Sequence, residues 1–364
     1  RAKARETGAP QGEGAAGASW QPREAAAPKG IPDGDASQAT RAGLEGRPDE
    51  ERFAGMLTVV LVQPGITPAE YLEASVSFSG HQGLLGRALA LTDDALRSLE
   101  RSPGSELRLV VWPETTLHVP AFSFDALRKP VEELTVEHGV YLLAGLPRSP
   151  FEPPPFGSGD DPSAGDPRAR NAAYLVTPAG ESRAVYDKVY VIPVAESHYA
   201  PGTSVRPFEV EAGGSRLLLG VGICSDVIEP RHALAAVRGG AASLHYLASL
   251  GGVGNLAALE RAFLSFRAAE HGVYVTQAAT TGPTLVVDPK GRTAGSLSGG
   301  GAGVLVVSVP LAPGGTWYTR LGDWPAALSG AVLGGAGVWL SVLGGVGRNG
   351  GTPRRPRGTP ERPV

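Results

Sequence analysis

The chain has 364 residues, a formal net charge of −3 and a single cysteine, Cys224. That length allows one large core with appendages. The charge, with no basic stripe through the body, excludes nucleic-acid binding as the main business, and the cysteine count excludes a disulfide-built scaffold.

Residues 1–51 hold one aromatic, Trp20, and very few aliphatics such as Ile31 and Leu44. Such a stretch buries too little surface to offset its ordering entropy, so residues 1–54 are expected to be a disordered linker. The start at Arg1, with neither an initiator Met nor a signal-peptide apolar region, is expected of a piece of a longer protein. Residues 56–63, apolar and β-branched, predict a buried first strand. Residues 84–99 carry helical spacing through Leu85, Ala88, Leu89, Leu96 and Leu99. The next strand, 107–111, runs into Trp112-Pro113-Glu114. A helix over 124–137 should stop at Gly139, followed by a strand at 140–144. The Pro-rich stretch 150–167 predicts a loop. Residues 172–177 and 182–186 predict a hairpin turning at Pro178-Ala179-Gly180, and it leads into Tyr186-Asp187-Lys188.

Residues 217–223 form a short apolar run interrupted by glycine, which predicts a buried strand ending at Cys224-Ser225-Asp226. Cys224 has no cysteine partner for a disulfide or a thiolate metal site. A lone cysteine at a strand end is either a small buried hydrophobe or a nucleophile. Glu114 and Lys188 favour the second role, because they also follow apolar strands. Three strand ends would then deliver a carboxylate, an ammonium and a thiol to one rim, where open α/β sheets place their sites. Further on, the pattern predicts a helix over 231–238, a strand over 243–248 and a helix capped by Asn255 and running through His271. Strands follow at 273–277, 284–288 and 303–309. This alternation suits a layered α/β sandwich.

The last segment differs in kind. Residues 324–347 carry no charge, enough length for a helix across a hydrocarbon core of roughly 30 Å. Trp317, Tyr318 and Trp324 stand at its entry, and Gly330 and Gly334 offer a face for packing on another membrane helix. The tail 348–364 is basic through Arg348, Arg354, Arg355, Arg357 and Arg362, which predicts a cytoplasmic C-terminus.

Trp112-Pro113-Glu114, Tyr186-Asp187-Lys188 and Cys224 together resemble the Glu-Lys-Cys triad of the nitrilase (carbon-nitrogen hydrolase) superfamily. The opening Leu61-Val62-Gln63 and the sequence from Tyr318 through Asp323-Trp324-Pro325 into the apolar segment narrow the resemblance to its bacterial apolipoprotein N-acyltransferase family. The resemblance implies a four-layer α-β-β-α sandwich over residues 55–312, and a return segment with one transmembrane helix over 313–347. It further implies an inner-membrane protein with its catalytic domain on the periplasmic face, packed on membrane helices that precede this segment. The implied reaction moves an acyl chain from a phospholipid to the N-terminal diacylglyceryl-cysteine of an apolipoprotein through a thioester on Cys224. Glu114 would serve as base, while Lys188 and the Ser225 N–H would hold the oxyanion. No cofactor or metal is implied.

Glu196 matches a second family carboxylate, although Val194 and Ala195 before it depart from the family's Phe-Gly. Ser225 and Asp226 stand where the family has Tyr-Glu, and residues 247–252 replace its Asn-Asp-Ala-Trp-Phe lid. Tyr71 stands near a family tryptophan. Two other readings stay open: a related amidase acting on a small amide, against which the terminal apolar segment counts, and, favoured by these departures, an impaired member serving as a binding module. The seven histidines show no close metal-ligand spacing and no P-loop is present.

Overall fold

The computed structural model describes residues 55–100, 107–155, 166–212, 215–249, 256–297, 300–311 and 314–346. The expected linker 1–54, the basic tail 348–364, Asn255 and residues 250–252 of the altered lid lie outside them.

In the first half of the chain, β1 (Gly55–Gln63), β2 (Leu107–Val111), β3 (Tyr141–Arg148), β4 (Arg170–Val176) and β5 (Ser182–Asp187) are joined through α1 (Pro68–Ser75), α2 (Phe78–Glu100) and α3 (Asp125–His138). The second half runs β6 (Phe208–Ala212), β7 (Ser215–Ile223), α4 (Pro230–Arg238), β8 (Ser243–Ala248), α5 (Leu256–His271) and β9 (Tyr274–Ala279). It continues through β10 (Leu285–Val287), β11 (Thr293–Ser296), β12 (Gly303–Leu311), α6 (Trp317–Leu321) and α7 (Trp324–Val346). The strands form two six-stranded sheets, ordered β12-β1-β2-β3-β4-β5 and β11-β10-β9-β8-β7-β6. β1, β2 and β3 are parallel, as are β7, β8 and β9.

Period-two alternation decides the layers. Leu57, Val59 and Leu61 pack with Leu219, Val221 and Ile223 of β7 in the core between the sheets. Val60 and Val62, pointing the other way, pack with Leu85, Ala88 and Leu96 of α2 and Leu127 and Val131 of α3. The second sheet's outer face packs Leu244 and Tyr246 against Ala233 and Ala236 of α4 and Leu264 and Ala268 of α5. Burying each valine or leucine here contributes about 1.5–3 kcal/mol. Both faces of β1 are therefore apolar, as a sheet covered on both sides requires. The result is the expected α-β-β-α sandwich.

Gly139 ends α3 at φ 62, the left-handed conformation that suits glycine at a helix C-terminus. α1 is held by a capping box in which Glu70 N donates to Thr67 and the Thr67 N–H donates to Glu70. α1, β6, β11 and α6 are not foreseen by the sequence pattern, being short or lying at a sheet edge.

The segment expected as a transmembrane helix forms α7, with its described side chains over 326–341 all exposed. Among the described residues no helix is long and apolar enough to cross a membrane. α7 stands here as an exposed, uncharged helix carrying Leu328, Val332, Leu333, Val338, Trp339 and Leu340 on its surface.

Candidate active site

Beyond β2 the Trp112 indole packs on the helix side and donates to Thr92 Oγ1 at 2.9 Å. Glu114 is buried, 5% exposed, and its backbone lies against Gly145 of β3. A Cβ on residue 145 would stand 2.6 Å from Glu114 Cα, so this approach requires glycine. Glu114 Oε1 accepts from Asn171 Nδ2 at 2.7 Å and Oε2 from the Ser249 N–H at 2.9 Å.

Lys188 leaves β5 with its N–H donating to Asn171 O at 2.8 Å. The preceding Asp187 is gripped by Arg148 of β3, at 2.9 Å through Nε and 2.6 Å through Nη2. A bidentate pair of this kind fixes direction as well as charge. The Lys188 ammonium is fully buried, 2.7 Å from Glu196 Oε1 and 3.6 Å from Glu114 Oε1. Glu196 also accepts from Ile192 N at 2.7 Å and from Asn171 Nδ2 at 3.3 Å.

Cys224 takes φ 46 at the end of β7, where the chain folds into a tight 3-10 turn over Cys224–Val227. A non-glycine residue at positive φ costs about 1–3 kcal/mol and persists only where its surroundings over-determine it. Asp226 does so here. Its fully buried carboxylate accepts from Ile223 N at 2.8 Å, Tyr186 Oη at 2.8 Å and Tyr190 N at 3.2 Å. Asp226 therefore holds the turn, and Ser225 turns its hydroxyl to Tyr190 O at 3.2 Å. Gly222 completes the approach, since a Cβ there would stand 2.5 Å from the Tyr246 ring.

The electrostatics follow from burial. Desolvation raises the Glu114 carboxyl above its ordinary range, opposed by Lys188 and Asn171. Burial alone would lower Lys188, but the charges of Glu114 and Glu196 outweigh it and keep the ammonium charged. Burial, then the Glu114 charge, push the Cys224 thiol well above its usual value. The resting sulfur is thus a thiol and needs a base to become a nucleophile. The cluster contains one: a buried carboxyl whose affinity for protons is raised, beside a fixed cation able to stabilise an oxyanion. Such an arrangement can run acyl transfer.

A cleft of ≈ 630 Å³ opens beside Glu114, lined in part by Ile66, Tyr71, Leu72, Thr115, Ser249 and Thr280. Tyr71 stacks edge-on against His118 with ring centroids 3.6 Å apart. Asp93, Glu137 and His138 also gather, but Arg97 bonds Asp93 and Glu137 and His138 bonds Asp93, which makes an ion-pair cluster.

The structure brings together all six residues expected from sequence, Glu114, Lys188, Cys224, Glu196, Ser225 and Asp226, the last two as parts of the turn. Sequence reasoning missed Asn171, which spans both carboxylates, and Glu260 of α5, buried at 6% exposure. The signal for Asn171 was an amide set between Arg170 and the run 172–176 of a wholly buried strand. For Glu260 it was an acid four residues into a helix that packs on the Cys224 turn.

This sandwich, with a carboxylate, an ammonium and a thiol at its strand ends, defines a nitrilase-type enzyme scaffold. Residues 74–319 match the carbon-nitrogen hydrolase family, and the chain belongs to it. It is similar to apolipoprotein N-acyltransferases: that of Bradyrhizobium diazoefficiens at 29% identity over 74% of this chain and 51% of that protein, and that of Agrobacterium fabrum at 29% over 70% and 48%. The chain thus spans about half the length of the curated relatives it matches. Among solved structures it resembles a mutant amidase from Nesterenkonia sp. AN1 in complex with butyramide, at TM-score 0.50 and 25% identity, covering 70% of this chain and 92% of that one. Nit3 of Saccharomyces cerevisiae, a nitrilase-superfamily member, matches at TM-score 0.52 and 18% identity over 71% and 91%.

Proposed function

We propose that the chain transfers an acyl chain from a phospholipid to the α-amine of an apolipoprotein's diacylglyceryl-cysteine, through a thioester on Cys224. The observation that carries this reading is the cluster of Glu114, Lys188 and Glu196 at the strand end next to the Cys224 turn. The names of the relatives supply the substrate class. Glu114 takes the thiol proton as sulfur attacks the ester carbonyl, and passes it to the leaving lysophospholipid oxygen. Lys188, with the Ser225 N–H, stabilises the oxyanion, an interaction commonly worth roughly 3 kcal/mol per donor. The thioester keeps the acyl group activated while the first lipid leaves and the second enters.

The same reading makes α7 a membrane anchor, because an uncharged helix with exposed Leu, Val and Trp loses free energy in contact with lipid. The sandwich then lies on the periplasmic face of the inner membrane, packed on preceding helices, with the C-terminus cytoplasmic. A reporter fused after Val364 that is active only in the periplasm would overturn that topology.

The test of the chemistry is incubation with phosphatidylethanolamine carrying a labelled acyl chain. An acyl adduct on Cys224, released by hydroxylamine and absent in Cys224→Ser, supports the reading; a folded chain that never acquires it overturns it. The amidase reading draws on the resemblance to the Nesterenkonia amidase, and would be favoured by turnover of butyramide without acylation by lipid.

A further inference from the structure

Acyl transfer to an amine makes a demand that hydrolysis does not. An α-amine has an ordinary pKa of about 7.7–8.0, so near neutral pH it arrives mostly as an ammonium. It must lose one proton to become a nucleophile and a second as the amide forms. Glu114 can take one and return it to sulfur. Glu196 is committed to Lys188, Asn171 and the Ile192 N–H. A water acceptor would need only Glu114; an amine needs another base.

Glu260 meets that need. It lies near the start of α5, which packs on the Cys224–Val227 turn. Its side chain is 6% exposed, and its Oε2 is buried without a hydrogen-bond partner. A buried polar oxygen left without a partner inside a folded chain calls for an explanation, and one beside the reacting centre points to a partner on the substrate. The titratable groups that act on it are Glu114 from the end of β2 and Lys188 from the end of β5, and its own charge acts on Cys224 in the turn.

We propose that Glu260 is the proton acceptor for the incoming amine, taking the ammonium proton so that the neutral amine can attack the acyl–Cys224 thioester. This rests on the acyltransferase reading above. The N–C bond forms as the C–S bond breaks; the amine's second proton passes through Glu114 to the Cys224 sulfur, and Glu260 releases the first to solvent. Burial, and then the Glu114 charge, raise the Glu260 carboxyl to about 8 in the empty site; a substrate ammonium seated beside it favours the ionised form, so that Glu260 is a carboxylate when the amine is bound and can accept its proton.

The test separates the two half-reactions. Full chain in phosphatidylethanolamine vesicles is acylated, isolated and mixed with a diacylglyceryl-cysteinyl peptide, and single-turnover amide formation is followed from about pH 6 to pH 9.5. In Glu260→Gln, aminolysis relative to acylation should fall by at least about tenfold at pH 7 and recover to within about threefold at the alkaline end, where the amine is neutral unaided. Glu260→Asp should fall between. An unchanged ratio at pH 7, or a loss equal at every pH, overturns the proposal. The wild-type profile is a second measurement, independent of whether any variant folds. It should hold its plateau below the titration of the free peptide amine, and a rate that only tracks that titration overturns the proposal. Wild type that forms the thioester but passes it to no amine sinks the acyltransferase reading itself, an outcome distinct from both.

Discussion

The Lys188 ammonium lies 2.7 Å from Glu196 and 3.6 Å from Glu114. Its nearer partner is thus the carboxylate farther along the chain, and Glu114 is steadied instead by Asn171 and the Ser249 N–H. Burial raises the affinity of Glu114 for protons, and the Glu196 charge beside the shared cation adds to it. In the reaction proposed above, this carboxyl is the base.

Two substitutions should move the acid limb of Cys224 acylation in opposite directions. The Asn171 hydrogen bond favours the charged form of Glu114, so Asn171→Ala should shift the limb to higher pH. The Glu196 charge disfavours it, so Glu196→Gln should shift the limb to lower pH. Acylation rates from about pH 4 to pH 9 give both shifts; the same direction in both variants would break this account of Glu114.

Asp226→Asn should destabilise the fold by about 2–4 kcal/mol, since its amide nitrogen cannot accept from the donors now aimed at the carboxylate. Asp226→Glu keeps the charge but adds a methylene to a site with no free surface, at a cost of about 1–3 kcal/mol. Denaturant midpoints measure both. Full stability in Asp226→Asn would mean that Asp226 does not hold the Cys224 turn.

Gly145→Ala should lower acylation by more than about tenfold, because its Cβ would displace the Glu114 backbone and small misplacements of a reacting group are costly. Gly83→Ala is the control: its Cβ meets nothing within 4 Å on α2, and the change should stabilise by about 0.4–1 kcal/mol. Equal effects of the two on acylation would argue against a steric cause.

Glu260 makes stability depend on pH with a definite sign. Its folded pKa is raised from 4.5 to about 8, so the fold favours the protonated carboxyl. The contribution is fully present below about pH 4.5 and is lost as pH rises through about 8. Glu260→Gln, which cannot ionise, should therefore gain stability over wild type between about pH 5 and pH 9, at a slope of at most about 1.4 kcal/mol per pH unit. Melting temperatures across that range check it, and a constant difference between the two proteins would contradict it.

The sequence by itself determined the layers and three of the chemical positions. Runs such as 59–62 and 109–111 are apolar on both faces, as a covered sheet requires, and a strand that leads to Glu114, Lys188 or Cys224 presents that residue at the rim. The tertiary structure decided which other residues join them. Asn171 reaches Glu114 across 57 positions of chain and Ser249 reaches it across 135, separations that leave no local pattern. Glu260 reads as one more helix acid until α5 is laid on the Cys224 turn. Asp226 reads only as a departure from the family's Tyr-Glu until Tyr186 and Tyr190 are brought to its oxygens. Local alternation reports which face of an element is buried; what a buried polar group meets there depends on how distant elements pack.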